Sequence, residues 1–301
     1  MLVAASEIEV ASMKSRPASR SQRLPARSIA TGYTNLSSEL HFFARLDEAR
    51  SAWRHHVEVS ERYGLGRQRR SARAEAAGWA YLDGRWDETI AIADELIAVA
   101  DAGERHFSDA IVLSRRAWIR LARGDAAAAD SDSQLAAELA RASDLQAQAA
   151  AYPIRAAVAL ATGRRDEADR LAPELAAMGP AMVAGLCTPF PTLTAVAWVF
   201  RDLGREQELC ELVLDPDPIK SPWNEASRAI CEGDLARAVD IIDEVGHTAA
   251  AAYARLRAAE AFAAVGQQHE AAAQRAQAEP FYRTVGAVRF VRDFERLAAI
   301  P

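Results

Sequence analysis

Apolar residues recur along this chain at helical spacing, and the runs they form are broken repeatedly by one short polar passage. Tyr81-Leu82-Asp83-Gly84-Arg85-Trp86-Asp87-Glu88-Thr89 shows it: an apolar helix end, a glycine, a few polar residues, then an acidic helix start. A glycine just past a helix end takes the left-handed conformation that closes the last turn without a Cβ penalty. Carboxylates placed a few residues later suit the first turn of the next helix, whose N–H groups lack partners. The passage returns around Gly124, Gly163, Gly204, Gly233 and Gly266, with a glycine-less copy at Ala44. Each copy predicts helix, tight turn, helix. No convincing run alternates the β-branched and aromatic residues that strands favour, so the expected class is all-α.

The turn positions are separated by 40, 40, 39, 41, 29 and 33 residues. Periods in this range mark stacked helix pairs. Fixed offsets carry the stronger signal. Seven residues before each turn position stand Ser37, Ala77, Ala117, Ala156, Ala197, Ala226 and Ala259; five residues after stand Ala49, Thr89, Ala129, Ala168, Leu209, Ala238 and Ala271. Two helix axes approach closely only where the side chains at the contact are small. These offsets therefore predict where neighbouring helices cross.

The pattern resembles tetratricopeptide-type repeats. The residues that carry the resemblance are Arg45-Leu46-Asp47-Glu48-Ala49, Gly84-Arg85-Trp86-Asp87-Glu88, Gly124-Asp125, Gly163 to Ala168, Gly233 to Ala238 and Gly266 to Ala271. It covers roughly residues 36 to 285. The resemblance implies a right-handed superhelix of about seven antiparallel helix hairpins, closed by a C-terminal capping helix. Spacings near 40 exceed the usual repeat length of that family, and most copies lack its midway aromatic and closing proline. The run Ala278 to Ala287, followed by Arg289, Arg292 and Glu295, resembles the end of the repeat region in large bacterial signalling ATPases, adenylate cyclases and LuxR-type regulators. No phosphate-binding G-x-x-x-x-G-K-[ST] accompanies it here.

In repeats of this type the first helix of each hairpin lines the concave face. Projecting from each turn glycine, that face receives Tyr81, Ser114 with Trp118, Thr194 with Trp198 and Arg201, Trp223, and Glu260. Tryptophan and arginine in a groove are common anchors for a peptide or ligand, and core packing is the rival reading of the same tryptophans. Trp53, Trp79 and Trp86 are read as core or hairpin contacts. The expected role is a non-catalytic scaffold that binds a protein or peptide segment on the concave face. The alternative is a detached sensor region of a signalling ATPase, cyclase or transcriptional regulator that binds a small effector.

Residues 1–30 differ from the rest. They hold six serines, two prolines and five basic residues against Glu7 and Glu9, and read as a disordered or loosely helical basic tail before a repeat domain at 31–301. Pro153 either starts or kinks its helix, and Gly179 to Pro191 reads as a connector that would divide the stack near 180–190. Leu214 to Pro222 is a second weak point. The last helix, about Ala287 to Ala299, sets Phe290, Phe294 and Leu297 on one stripe.

Composition then narrows the function. The net charge is −6, against a nucleic-acid-coating surface. Of 36 basic residues only Lys14 and Lys220 are lysines, an excess of arginine read as compositional bias. Cys187, Cys210 and Cys231 are an odd, scattered set that suggests reduced thiols and a cytoplasmic location. No apolar run is long enough to span a membrane. Histidines and cysteines show no metal-ligand spacing, so no metal or cofactor is expected, and adjacent His55-His56 read as surface or interface residues. Asp47-Glu48, Asp87-Glu88 and Asp166-Glu167 recur at one turn offset, which makes them helix-start residues and no acid–base pair.

Overall fold

Seen in a computed structural model, the turns have the geometry that their sequence predicts. Gly84, Gly124, Gly163, Gly204, Gly233 and Gly266 all have positive φ, and Ala44, at φ 59°, takes the same left-handed conformation without being glycine. After six of these seven positions the next backbone N–H reaches the carbonyl five residues back: Arg45 to Leu40, Arg85 to Ala80, Asp125 to Arg120, Arg164 to Ala159, Arg205 to Phe200 and Gln267 to Phe262, at 2.8–2.9 Å. That bond satisfies a carbonyl the helix end would leave open.

The structure describes residues 19–186, 192–211 and 219–298, and among these it holds fifteen helices and no strand. They are α1 (Arg20–Phe42), α2 (Leu46–Arg62), α3 (Gly66–Leu82), α4 (Trp86–Asp101), α5 (Ser108–Ala122), α6 (Ala126–Arg141), α7 (Leu145–Ala161) and α8 (Arg165–Val183). After them come α9 (Thr192–Leu203), the short α10 (Glu206–Leu209), α11 (Pro222–Glu232), α12 (Leu235–Val245), α13 (Thr248–Ala264), α14 (Gln268–Thr284) and α15 (Val288–Ala298). Consecutive helices pack as hairpins, and the first members of successive hairpins, α3, α5, α7 and α9, also touch in order. No described helix is long and apolar enough to cross a membrane.

The crossing positions are buried as their smallness predicts. Ala77, Ala117, Ala156, Ala197 and Ala226 have no exposed surface, nor have Ala49, Thr89, Ala129, Ala168, Leu209 and Ala238. Two copies show the contact directly: Ser37 Oγ donates to the Ala49 carbonyl at 3.0 Å, and Thr89 Oγ1 to the Ala77 carbonyl at 3.2 Å. One hairpin thus places the hydroxyl before the turn and the next places it after, across the same crossing.

The arginines are more than compositional bias. Arg50 clips Asp83 at 2.6 Å, Arg70 clips Asp109 at 2.8 Å and Arg205 clips Asp169 at 2.7 Å, each from one element to another. Arg116 of α5 holds the buried Asp132 of α6 through two parallel bonds of 2.7 and 2.8 Å. The planar guanidinium suits that two-pronged grip, which an ammonium could not make.

Other expectations shift in place. The boundary drawn at residue 30 falls inside α1, which begins at Arg20; residues 1–18 lie outside the described residues. Pro153 does not start its helix: α7 begins at Leu145, where the Asp144 side chain accepts from the Ala147 N–H. The expected connector begins later than Gly179, because α8 carries Gly179 and Pro180 within it, and residues 187–191, with Cys187, lie outside the described residues. Most of Leu214 to Pro222 lies outside them too.

The run of hairpins returns on itself. Trp223 of α11 donates its indole N–H to the His41 carbonyl of α1 at 3.1 Å. The turn at Gly84 lies so close to α14 that an added Cβ would come within 3.2 Å of the Phe281 ring. Arg123, after α5, donates to the Val285 carbonyl at 3.1 and 3.2 Å. The apolar stripe of α15 is buried as read, with Phe290 and Phe294 inside, and it packs inward: Phe290 meets Trp118 of α5 at 5.7 Å between ring centres.

Candidate functional site

The inner helices surround a chamber of about 170 Å³, partly open to solvent. Its wall comes from Tyr81 on α3, Ile111, Ser114, Arg115 and Trp118 on α5, Ala149, Ala150, Pro153, Ile154 and Ala157 on α7, Thr194 and Trp198 on α9, Ile242 on α12, His247 at the start of α13, and Ala250 and Tyr253 within it. Five of the eight residues projected from sequence therefore line one cavity: Tyr81, Ser114, Trp118, Thr194 and Trp198. The other three do not. Trp223 is buried beside His41 and His247, Arg201 donates to the Ile230 carbonyl, and Glu260 pairs with Arg257 at 2.8 Å.

Aromatic rings brace the wall. Tyr253 stands edge-on to Trp118 at 4.9 Å and to Trp198 at 5.9 Å. Tyr81 stacks on the buried Trp86 at 5.6 Å, and the Trp118 indole is close enough to act against the rise that burial causes in the Tyr81 hydroxyl. Burial holds the Tyr81 and Tyr253 hydroxyls above their ordinary range, so both stay neutral donors. Trp53, Trp79 and Trp86 serve the hairpins as expected, Trp53 donating to the Ala72 carbonyl at 3.1 Å. Pro153 brings no N–H to the Ala149 carbonyl, which an unbroken helix would supply. Both residues line the chamber.

Four polar groups near the chamber escaped the sequence projection: Arg115, His41, His247 and Glu75. Burial pulls the Arg115 guanidinium down to about 9, partly opposed by Tyr81 and Glu75, so it is still charged at neutral pH. His247 is lowered to about 3, first by burial, and it accepts the Ala250 N–H at Nδ1, 3.1 Å away. His41 lies well below its ordinary value, by burial first and then by His247 and Arg115. The two imidazoles are 6.4 Å apart and both neutral at pH 7. Arg115 therefore supplies positive charge to a wall that is otherwise largely apolar.

A second cavity, of about 230 Å³, lies on the other side of Arg115. Arg115 and Ile111 line both. The second is more polar than the first: Thr34, Asn35, Ser38, His56, Arg67, Glu75, His106 and Gln146 are among the residues around it. His56, half of the pair read as surface residues, is fully buried there, while His55 is exposed. Its Nδ1 lies 3.0 Å from Thr34 Oγ1 and 3.5 Å from Glu75 Oε1, and its Nε2 is buried with no hydrogen-bond partner. His106, lowered to about 4 by burial and by Arg67, takes the Ser108 N–H at Nδ1, which leaves Nε2 carrying the proton, buried and unpartnered. Among the described residues no group of histidines, cysteines and carboxylates is set to hold a metal.

No protein family, curated protein or solved structure matches this chain at a significant level.

Proposed function

We propose that this chain is a non-catalytic receptor domain that takes a small molecule into the chamber between its inner helices. The supporting architecture is a right-handed, tetratricopeptide-like superhelix of seven hairpins and a final helix. Seven consecutive helix pairs followed by α15, with small residues at matched crossings, favour that reading.

The observation that carries the proposal is the chamber itself. An engineered apolar cavity of about 150 Å³ admits benzene. A space of about 170 Å³ walled by Tyr81, Trp118, Trp198 and Tyr253 therefore suits one ring or a short branched chain. An extended partner segment would need several such subsites along an open groove, whereas this chamber is one space walled by early helices (α3, α5, α7, α9) and late ones (α12, α13) together. Geometry thus favours the small effector over a bound protein segment. Such a domain would serve as the sensing part of a signalling ATPase or a regulator, supplied with its output by another protein or domain.

The test uses small aromatic probes, with indole as the first. A ligand at a hundred times its Kd should stabilise the fold by about 2.7 kcal/mol, read as a shift in the denaturation midpoint. Ala150→Phe, which fills the chamber from α7, should abolish that shift while the protein stays folded. An equal shift in the filled variant would place the probe elsewhere and end the proposal.

A further inference from the structure

Resting on the chamber reading above, we infer that the two cavities accept one amphipathic organic anion. Its ring or branched chain lies among Trp118, Trp198 and Tyr253, its acidic group meets Arg115, and its polar remainder enters the compartment of His56 and His106.

Three observations on different residues lead there. First, the cavities meet at Ile111 and Arg115, so Arg115 borders a molecule seated in either. Second, the two sides differ in chemistry: rings and alanines on one, hydroxyls, amides, imidazoles and charges on the other. A purely apolar molecule would leave the polar groups of the second cavity unmatched. Third, the polar side holds buried groups that the protein itself leaves unanswered. Buried polar atoms nearly always find a partner. Yet His56 Nε2, on a ring with no exposed surface, has none, and neither has His106 Nε2.

The two imidazoles ask for complementary partners. The Thr34 hydroxyl donates to the Ala30 carbonyl, so His56 Nδ1 donates to Thr34 and Nε2 is left as an acceptor. His106 Nδ1 accepts from the Ser108 N–H, which leaves Nε2–H as a donor. The charge at the seam favours an acid over a neutral isostere, because a charge-assisted bond to a carboxylate gains strength away from water. Arg67 adds positive charge on the polar side, against Glu75.

The experiment compares 3-phenylpropionate with 3-phenylpropanamide, which have the same ring and reach and differ in charge. Titration calorimetry on the full chain should give the acid at least about tenfold tighter binding, the worth of one charge-assisted bond. Arg115→Gln should remove that preference and leave the amide's affinity unchanged. Should that variant fail to fold, the acid–amide ratio in the unaltered protein decides alone. Equal affinities, or a preference for the amide, would overturn the anion inference and leave the chamber reading standing. If the acid, the amide and indole all fail to bind, the chamber reading falls and this inference with it.

Discussion

Ala44 does the work of a glycine without being one. Its φ of 59° costs an alanine about 1–2 kcal/mol relative to a right-handed residue. Glycine there would relieve that strain and give back part of the gain through a looser unfolded chain. Ala44→Gly should therefore raise stability by about 0.5 kcal/mol. Gly124→Ala is the mirror case: a Cβ at Gly124 meets nothing within 4 Å, so its loss of about 1 kcal/mol would be backbone strain alone. Denaturant midpoints of the two variants check both signs. The buried histidines make a different residue-scale prediction. His41 and His247 are held below their ordinary value in the folded state, His247 at about 3. Above about pH 6.5 each is neutral whether folded or not, and stability is at its full value. Below that, the unfolded chain takes up protons that the folded chain refuses, so stability falls as pH drops from about 6.5 toward 3. Each histidine accounts for at most about 1.4 kcal/mol per pH unit. Comparing denaturation midpoints at pH 7.5 and 5 should show the fall. His247→Asn, whose side chain can still accept the Ala250 N–H, should lessen it.

At the scale of the helix, the crossings were legible because they depend on side-chain size at a fixed distance from a turn. Both conditions are local. Ala117 and Ala156, with no exposed surface, leave no room for a larger residue. Ala117→Leu or Ala156→Leu should cost about 1–3 kcal/mol through overpacking, and a thermal melt with no loss would refute the crossing assignment. Turns of the second set were less legible. Gly64, Gly103, Gly185, Gly246 and Gly286 close the second helices of their hairpins with the same positive φ, yet their spacing follows the first set only loosely. Asp125 and Asp234, just before α6 and α12, cap those helices, each accepting the backbone N–H three residues on. The prolines break fewer helices than their chemistry suggests. Pro25, Pro153, Pro173, Pro180 and Pro280 all sit inside helices; Pro153 is buried, and the other four are exposed, where the carbonyl each leaves without an N–H can meet water.

At the scale of the molecule, the inner wall was half legible. Tyr81, Ser114, Trp118, Thr194 and Trp198 follow from their distance to a turn glycine, since helical phase alone decides which way they face. Arg201, Trp223 and Glu260 follow the same rule and miss, because local partners hold them: the Ile230 carbonyl, the His41 carbonyl and Arg257. Arg115 and His247 could not be found by phase. What makes them a site is the return of α13 and α14 toward the opening hairpins, a contact between residues more than a hundred positions apart. That return has a consequence for how the chain holds together. A linear array of repeats can fray from either end, since each unit leans only on its neighbours. Here Arg123 and Trp223 lash late helices to early ones, so the hairpins at either end of the described array lean on more than their sequence neighbours. A guest among Tyr81, Trp118 and Tyr253 would act as a keystone, touching both arms of the arch at once and making its departure a matter for the entire chain.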